Sequence, residues 1–371
     1  MRASNIIYPI SVPKLFDEER ANLIDAFDSS WISSNGKYIR DFEEKFARFI
    51  GVDYGVAVSN GTTAIHLALE ALNIGENDEV IVPDLTFAAT INAILHSGAT
   101  PVIIDVNDEW CISTEEIKKA ISPKTKAIIP VHIYGQPCNM IEILKIAKEH
   151  QLYVIEDCAE AHGAHIDNKK VGAFGDISCF SFFANKIITT GEGGICLTKD
   201  AGIAERLKIL RDHGMNPKRK YFHDFVGYNY RMTNLQAAIG LGQLNKIVSF
   251  LEKRKKIEDL YKKYLINNPF IDFQPQKEGK VCWLVSVLVK NISRDKLKKL
   301  LLEEGIETRQ FFIPLSKMDI YRNYSQADNI NTLKLSEEGM NLPTYLDLNE
   351  QDIQSICEKI NQIVYKLGEK R

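Results

Sequence analysis

The sequence predicts an α/β protein, with a mainly parallel sheet covered by helices on both faces and a smaller C-terminal α+β unit behind it. Between residues 54 and 155, short unbroken apolar runs alternate with helical stretches, which is how strands buried on both faces of a parallel sheet read. Past residue 234 the pattern lengthens into helix, and beyond Pro269 it changes again to separate strands and helices. A chain of 371 residues is long enough for two cores. The change of rhythm within 245–265 therefore marks a domain boundary, with 1–250 as the large domain and 251–371 as the small one.

Residues 17–27 carry the apolar spacing of an amphipathic helix, and the loop 29–36 behind it holds Trp31. A second helix over 37–49 ends at Gly51. Strand 54–58, the turn Ser59-Asn60-Gly61-Thr62 and helix 63–72 follow. Strand 79–82 precedes helix 87–95, and strand 100–105 precedes helix 114–120. Strand 127–131 leads to helix 140–150, and strand 153–155 runs into Glu156-Asp157. Apolar runs at 177–183 and 195–197 flank a polar turn. Residues 234–265 read as one long helix, followed by strand 282–289, helix 294–304, a strand-like stretch 307–312 and a last helix over 350–367.

A net charge of −3 provides no basic field for nucleic acid or an anionic membrane. The seven cysteines are scattered without a Cys-x-x-Cys pair, which argues against a disulfide frame or structural zinc and for a reducing compartment. The first fifteen residues lack a signal-peptide core, and no apolar run approaches the roughly 20 residues that span a bilayer. A cytoplasmic location is expected.

Ligands of open α/β sheets bind beyond the carboxyl ends of the strands, and four features fall there. Ser59-Asn60-Gly61-Thr62-Thr63 opens a helix, so its amides and the helix dipole suit a phosphate; its plain alternative is an N-cap with a turn glycine. Asp157 ends an apolar strand, where a carboxylate needs a cation or a donor; a salt bridge to a helix would also satisfy it. Phe87 offers a face to a flat ring, or simply packs in the core. Lys186 sits between apolar runs, among Asn185, Thr189, Thr190 and glycines. Burial there would penalise the ammonium and free the amine as a nucleophile able to form a Schiff base with pyridoxal phosphate (PLP); the plain alternative is a turn lysine with its head in water. His162 and His165, spaced i, i+3, fall short of the ligand count zinc requires, so no metal site is expected.

Five stretches occur in order: Asn60-Gly61-Thr62-Thr63-Ala64; Glu156-Asp157-Cys158-Ala159-Glu160-Ala161-His162-Gly163; Ser181-Phe182-Phe183-Ala184-Asn185-Lys186; Thr190-Gly191-Glu192-Gly193-Gly194; and Gly227-Tyr228-Asn229-Tyr230-Arg231-Met232. Together they resemble the DegT/DnrJ/StrS family of sugar-nucleotide aminotransferases over essentially the whole chain. The resemblance implies PLP fold type I, with a sheet of the seven-stranded type. It implies that Lys186 is the Schiff-base lysine and Asp157 the partner of the pyridine nitrogen. Gly61 and Thr62 would hold the phosphate with help from Ser181, and Phe87 would stack on the ring. Glu160 falls where many relatives carry glutamine, near the cofactor's phenolic oxygen. Asn229 would reach the cofactor of a partner subunit, making a homodimer with shared sites.

Within the family, Trp31-Ile32-Ser33-Ser34, Asn185-Lys186 and Glu307-Thr308-Arg309 resemble the branch that forms GDP-perosamine. This implies transfer from glutamate to the C4 ketone of GDP-4-keto-6-deoxymannose, with 2-oxoglutarate released and the product used in surface polysaccharide such as O-antigen. Trp31, Ser33, Arg309 and Tyr321 would contact the nucleotide sugar. Three alternatives stand beside it. A UDP- or dTDP-linked keto sugar would undergo the same chemistry. A sugar dehydratase of the same family carries histidine where this chain has Lys186, and the lysine disfavours it. A regulatory protein could bind PLP or a nucleotide sugar without turnover.

Overall fold

The computed structural model of the chain describes residues 6–325 and 327–369. Helices α1 (Asp17–Asp28) and α2 (Lys37–Ile50) come first. On α2, Tyr38, Phe42, Phe46 and Ile50 recur at helical spacing and are all buried, so one face of the helix becomes core. Gly51, at φ 94°, turns the chain out of the helix.

A seven-stranded sheet follows. Its strands are β1 (Tyr54–Val58), β2 (Glu79–Pro83), β3 (Thr100–Ile104), β4 (Thr125–Ile128) and β5 (Tyr153–Asp157). After a small hairpin of β6 (His165–Ile166) and β7 (Lys169–Lys170), it is completed by β8 (Ile177–Ser181) and β9 (Gly194–Thr198). The order is β1-β9-β8-β5-β4-β2-β3. Only β9 runs against its neighbours, so the sheet is mainly parallel, as expected. The connections carry α3 (Gly61–Ala71), α4 (Ala88–His96), α5 (Thr114–Ala120) and α6 (Met140–His150); α7 (Ala201–Arg211) follows β9. Because β1, β2, β4, β5 and β8 run the same way, the loops that follow them all emerge at one edge of the sheet.

Below that edge lies an aromatic cluster. Phe46 meets Phe180 and Phe182 edge-on, with ring centroids at 5.0 and 5.1 Å, and Phe42 meets Phe182 at 5.0 Å. Edge-to-face pairs of this kind are favourable beyond their buried area. They anchor α2 against β8 and against the residues leading into the lysine loop.

The read helix 234–265 is in fact two, α8 (Asn234–Asn245) and α9 (Ile247–Leu265). Lys246 leaves helical geometry at φ −109°, ψ 1°. Its ammonium takes the Gly242 carbonyl at 3.0 Å and pairs with Glu18, fixing the bend against α1. Both sides of the bend are helical in pattern, so apolar spacing passes over it.

Beyond α9, β10 (Ile271–Phe273), β11 (Val285–Val289), α10 (Arg294–Glu303), β12 (Arg309–Gln310), α11 (Ile330–Glu338), β13 (Gly339–Leu342) and α12 (Glu350–Gly368) form a second layer. Its antiparallel sheet has the order β10-β11-β13-β12. A separate core fills it, including Tyr261, Val287, Leu301, Met340 and Ile360. The segment before α1, read as part of the large domain, runs along this unit: Tyr8 pairs with Ile306, and the Ile10 amide donates to Glu307 at 2.9 Å. The strand-like stretch 307–312 shortens to β12, and β4 starts and ends earlier than the apolar run 127–131 suggests. The elements expected above do not include α7, α11, β10 or β13. Pairing with β11 and β12 makes Gly-Met-Asn-Leu of β13 a strand.

Candidate active site

A cleft of about 640 Å³ opens at the edge where the parallel strands end. The loop between β8 and β9 brings Lys186 into it. This loop is held to the sheet by the Phe182 and Thr190 amides, which donate to the Gly193 and Phe182 carbonyls at 2.8 and 2.9 Å. The Lys186 amide donates to Phe183, and the Trp283 indole N–H reaches the Asn185 carbonyl at 2.7 Å, tying the loop to the C-terminal unit. The lysine side chain is 12% exposed; its Nζ lies 3.5 Å from Glu160 Oε1 and 4.1 Å from the centre of the Trp283 ring. Burial pushes its pKa below the ordinary lysine range, opposed by the charges of Glu160 and Asp157. An amine in this setting is nearer to being a free base than a surface lysine.

Asp157 closes β5 in the same cleft. One of its oxygens accepts from Thr90 Oγ1 at 2.9 Å, the other from the Ala159 amide at 3.1 Å. Burial raises its pKa, against the Ala159 and Thr90 hydrogen bonds and the charge of Lys186. It forms no salt bridge among the described residues. The acid thus faces the cleft fixed in place and wanting a cation. Its neighbour Glu156 points the other way and is fully satisfied. It accepts from the amides of Gly172, Phe174 and Gly175 at 2.7–2.8 Å and from His132 Nε2 at 3.1 Å. Against burial, which pulls upward, His132 and those amides hold its pKa low. His132 Nδ1 accepts the Cys138 amide, so its proton sits on Nε2. Together with Cys158 these residues form a compact cluster, but Glu156 is already engaged by N–H donors.

The amino end of α3 makes a second wall. Asn60 caps it by accepting the Thr63 amide at 2.9 Å, and the amides of Gly61 and Thr62 have no hydrogen-bond partner among the described residues. A Cβ on Gly61 would come within 2.8 Å of Ser181 Cβ, so glycine keeps the helix end open toward the Ser181 hydroxyl. Such an end suits a phosphate. Phe87, 60% exposed, stands at the mouth with its ring 5.8 Å from that of Phe312. Arg309 lies over Trp283 and Phe312, donates from Nε to Asn341 at 3.3 Å, and has a buried Nη2 with no partner among the described residues.

Lys186, Asp157, Gly61, Thr62, Phe87, Glu160, Ser181 and Arg309 are therefore gathered in one cleft. Four other candidates lie outside it. Tyr321 is buried with its hydroxyl donated to Asn92 at 2.6 Å, and packs in the core beside α4. Trp31 lines a different cavity, of about 710 Å³, with Arg40 and Arg211. Ser33 is bound through its carbonyl to the Asn234 amide at 2.6 Å. Asn229 is exposed, opposite Asp212. Sequence reading missed Thr90, Tyr134, Trp283 and Phe312. The first is one polar residue in an ordinary helix, and the others come from chain distant from Lys186, so no local pattern marks them.

His162 is buried among Phe46, Phe180 and Phe182, and neither ring nitrogen has a hydrogen-bond partner among the described residues. His165 faces the Asp167 carbonyl instead. Burial, with the charge of Lys186, lowers the His162 pKa from 6.5 to about 3. Between those values the unfolded chain binds a proton that the folded chain does not, so stability is full above pH 6.5 and falls as pH drops. The slope is about 1.4 kcal/mol per pH unit. Chemical denaturation at pH 7.5 and pH 5 should show about 2 kcal/mol lost to this residue, and His162→Asn should flatten the profile by that amount. An equally steep profile in the variant would exclude His162 as the cause.

The DegT/DnrJ/EryC1/StrS aminotransferase family matches residues 13–361. The GDP-perosamine synthase of Escherichia coli O157:H7 is 46% identical over 95% of this chain and 98% of its own. That of Caulobacter vibrioides is 42% identical over 96% and 98%. A sugar aminotransferase of Streptococcus pneumoniae, Spr1654, solved in its PMP form, superposes with a TM-score of 0.91 at 26% identity, over 98% of both chains. The buried amine and the acid facing it across the cleft thus define a PLP-dependent aminotransferase acting on nucleotide sugars. The chain belongs to the DegT/DnrJ/EryC1/StrS aminotransferase family.

Proposed function

We propose that the chain transfers an amino group from glutamate to the C4 ketone of GDP-4-keto-6-deoxymannose, forming GDP-perosamine. The observation that carries this substrate is the likeness to the two GDP-perosamine synthases over at least 95% of the chain.

The cleft fits the cofactor. An acid without a cation, a helix end with unpartnered amides and a nearby lysine amine match a pyridine nitrogen, a phosphate and a carbonyl carbon in turn. Asp157 would hold the nitrogen protonated, Gly61, Thr62 and Ser181 would hold the phosphate, and Phe87 would lie against the ring. When bound, PLP supplies a carbonyl that accepts amino groups and a ring that stores an electron pair. Lys186 Nζ takes the proton from the donor's α-carbon as base and returns one to the sugar's C4 as acid. Trp283 and the loop around Asn185 shield that amine from water. Arg309 offers its unpartnered Nη2 edge to an anionic group of the substrate.

The active form is a homodimer in the cytoplasm. Asn229 is exposed and lies off its own cleft, which supports a reach into the partner subunit's site. Exposed Tyr221, Phe225 and Val226 nearby supply apolar surface for a second copy to cover. No helix among the described residues is long and apolar enough to cross a membrane.

Incubation with glutamate and a panel of 4-keto nucleotide sugars, following 2-oxoglutarate, tests the substrate. The GDP-linked sugar should give the fastest release. Release confined to a UDP- or dTDP-linked sugar would move the assignment to that nucleotide, and no release with any sugar would point to a binding protein.

A further inference from the structure

We propose that Glu160 is the proton store of Lys186: its carboxylate takes the proton the ammonium must shed before the amine can bond to a carbonyl carbon, and returns it when the amine is freed. The inference rests on the reading of Lys186 given above. The step balances without redox change. The ammonium proton passes to Glu160, the nitrogen lone pair forms a bond to carbon, and the carbonyl oxygen leaves as water.

The geometry around Glu160 is built for one open oxygen. Oε2 accepts the Tyr134 amide at 2.8 Å, which leaves Oε1 for Lys186 Nζ at 3.5 Å. That amide is aimed by an unusual turn. Tyr134 sits at φ 52°, ψ 25°, a left-handed conformation costly for a bulky side chain. Gly135 follows at φ 88°, where a Cβ would lie 2.1 Å from the Val281 carbonyl oxygen. Stacking of the Tyr134 ring on Trp283 and Phe312, at 6.2 and 5.8 Å, holds the turn in place. Backbone held in a sparsely populated conformation to orient one carboxylate is characteristic of a functional site.

Two buried opposite charges are costly to keep dry, whereas a neutral amine beside a neutral acid carries neither penalty. Burial lowers the Lys186 pKa and raises that of Glu160, which brings the two forms of the pair closer in energy. The other groups facing the pair do not replace this exchange. Asp157 is held by Thr90 and Ala159, and the Arg309 guanidinium pulls Glu160 toward its ionised form. The Tyr134 phenol is pushed far up by burial, and His162 stays neutral. The Trp283 face favours the ammonium until a carbonyl arrives.

The test uses cofactor-free protein incubated with PLP and trapped with borohydride, with the adduct located by mass spectrometry, from pH 5 to 10. Wild type is compared with Glu160→Gln, which can still accept the Tyr134 amide, and with Glu160→Asp. Loss of the negative charge should move the pH midpoint of Lys186 trapping down by about 1–3 units, and aspartate should bring it back toward wild type. In infrared difference spectra of free against PLP-loaded protein, wild type should gain the C=O band of a protonated carboxyl, and Glu160→Gln should lack it. An unshifted midpoint, or a wild-type spectrum without that band, overturns the proton store while leaving Lys186 in its role. Absence of any adduct at Lys186 overturns the reading of the lysine, and the store with it.

Discussion

Replacing Lys186 with alanine is expected to lower amino transfer by at least about 10⁴-fold, since it removes the base, the acid and the nucleophile together. The fold should survive. The lysine contributes an amide bonded to Phe183 and a side chain resting on Trp283, and alanine keeps the first. Single-turnover release of 2-oxoglutarate from glutamate should vanish, and the cofactor should bind without the absorbance change that attachment to an amine produces. Added small amines should restore part of the rate. Turnover within about tenfold of wild type would end the assignment of this residue.

Asp157→Asn is expected to lower kcat/KM by about 10³-fold, which corresponds to about 4 kcal/mol. The amide is isosteric and can keep the contacts to Thr90 and the Ala159 N–H, so position is preserved and only the negative charge is lost. Without that charge nothing holds a proton on the ring nitrogen, and the ring is a poorer electron store. Chemical denaturation should show the variant as stable as wild type or slightly more so, because an unpaired buried carboxylate is itself a cost. A loss of activity that tracks a loss of stability would show that Asp157 supports the fold rather than the ring.

Much of this site was legible before any coordinates. Apolar runs between helices place Gly61, Phe87, Asp157 and Lys186 at strand ends, and those ends do meet at one edge. Arg309, from the second layer, also reaches the cleft. Tyr321 and Trp31 show where such reading stops. A tyrosine hydroxyl bonded to Asn92 and a tryptophan beside another cavity look, in sequence, no different from residues that face a ligand. The split of 234–265 into two helices and the strand at Gly339–Leu342 were hidden for the same reason, since contacts from elsewhere in the chain decide both.

Sequence alone determined which side chains stand at the ends of the parallel strands, because strand period, turn residues and helix starts are local properties. It determined the family as well, through five ordered motifs. Only the tertiary structure decided what surrounds the amine: Trp283 over it, Glu160 beside it, and a left-handed Tyr134 aiming an amide at that carboxylate. Those partners lie up to about a hundred residues away, and the energy that matters, the cost of a charge held away from water, arises only once they close around it.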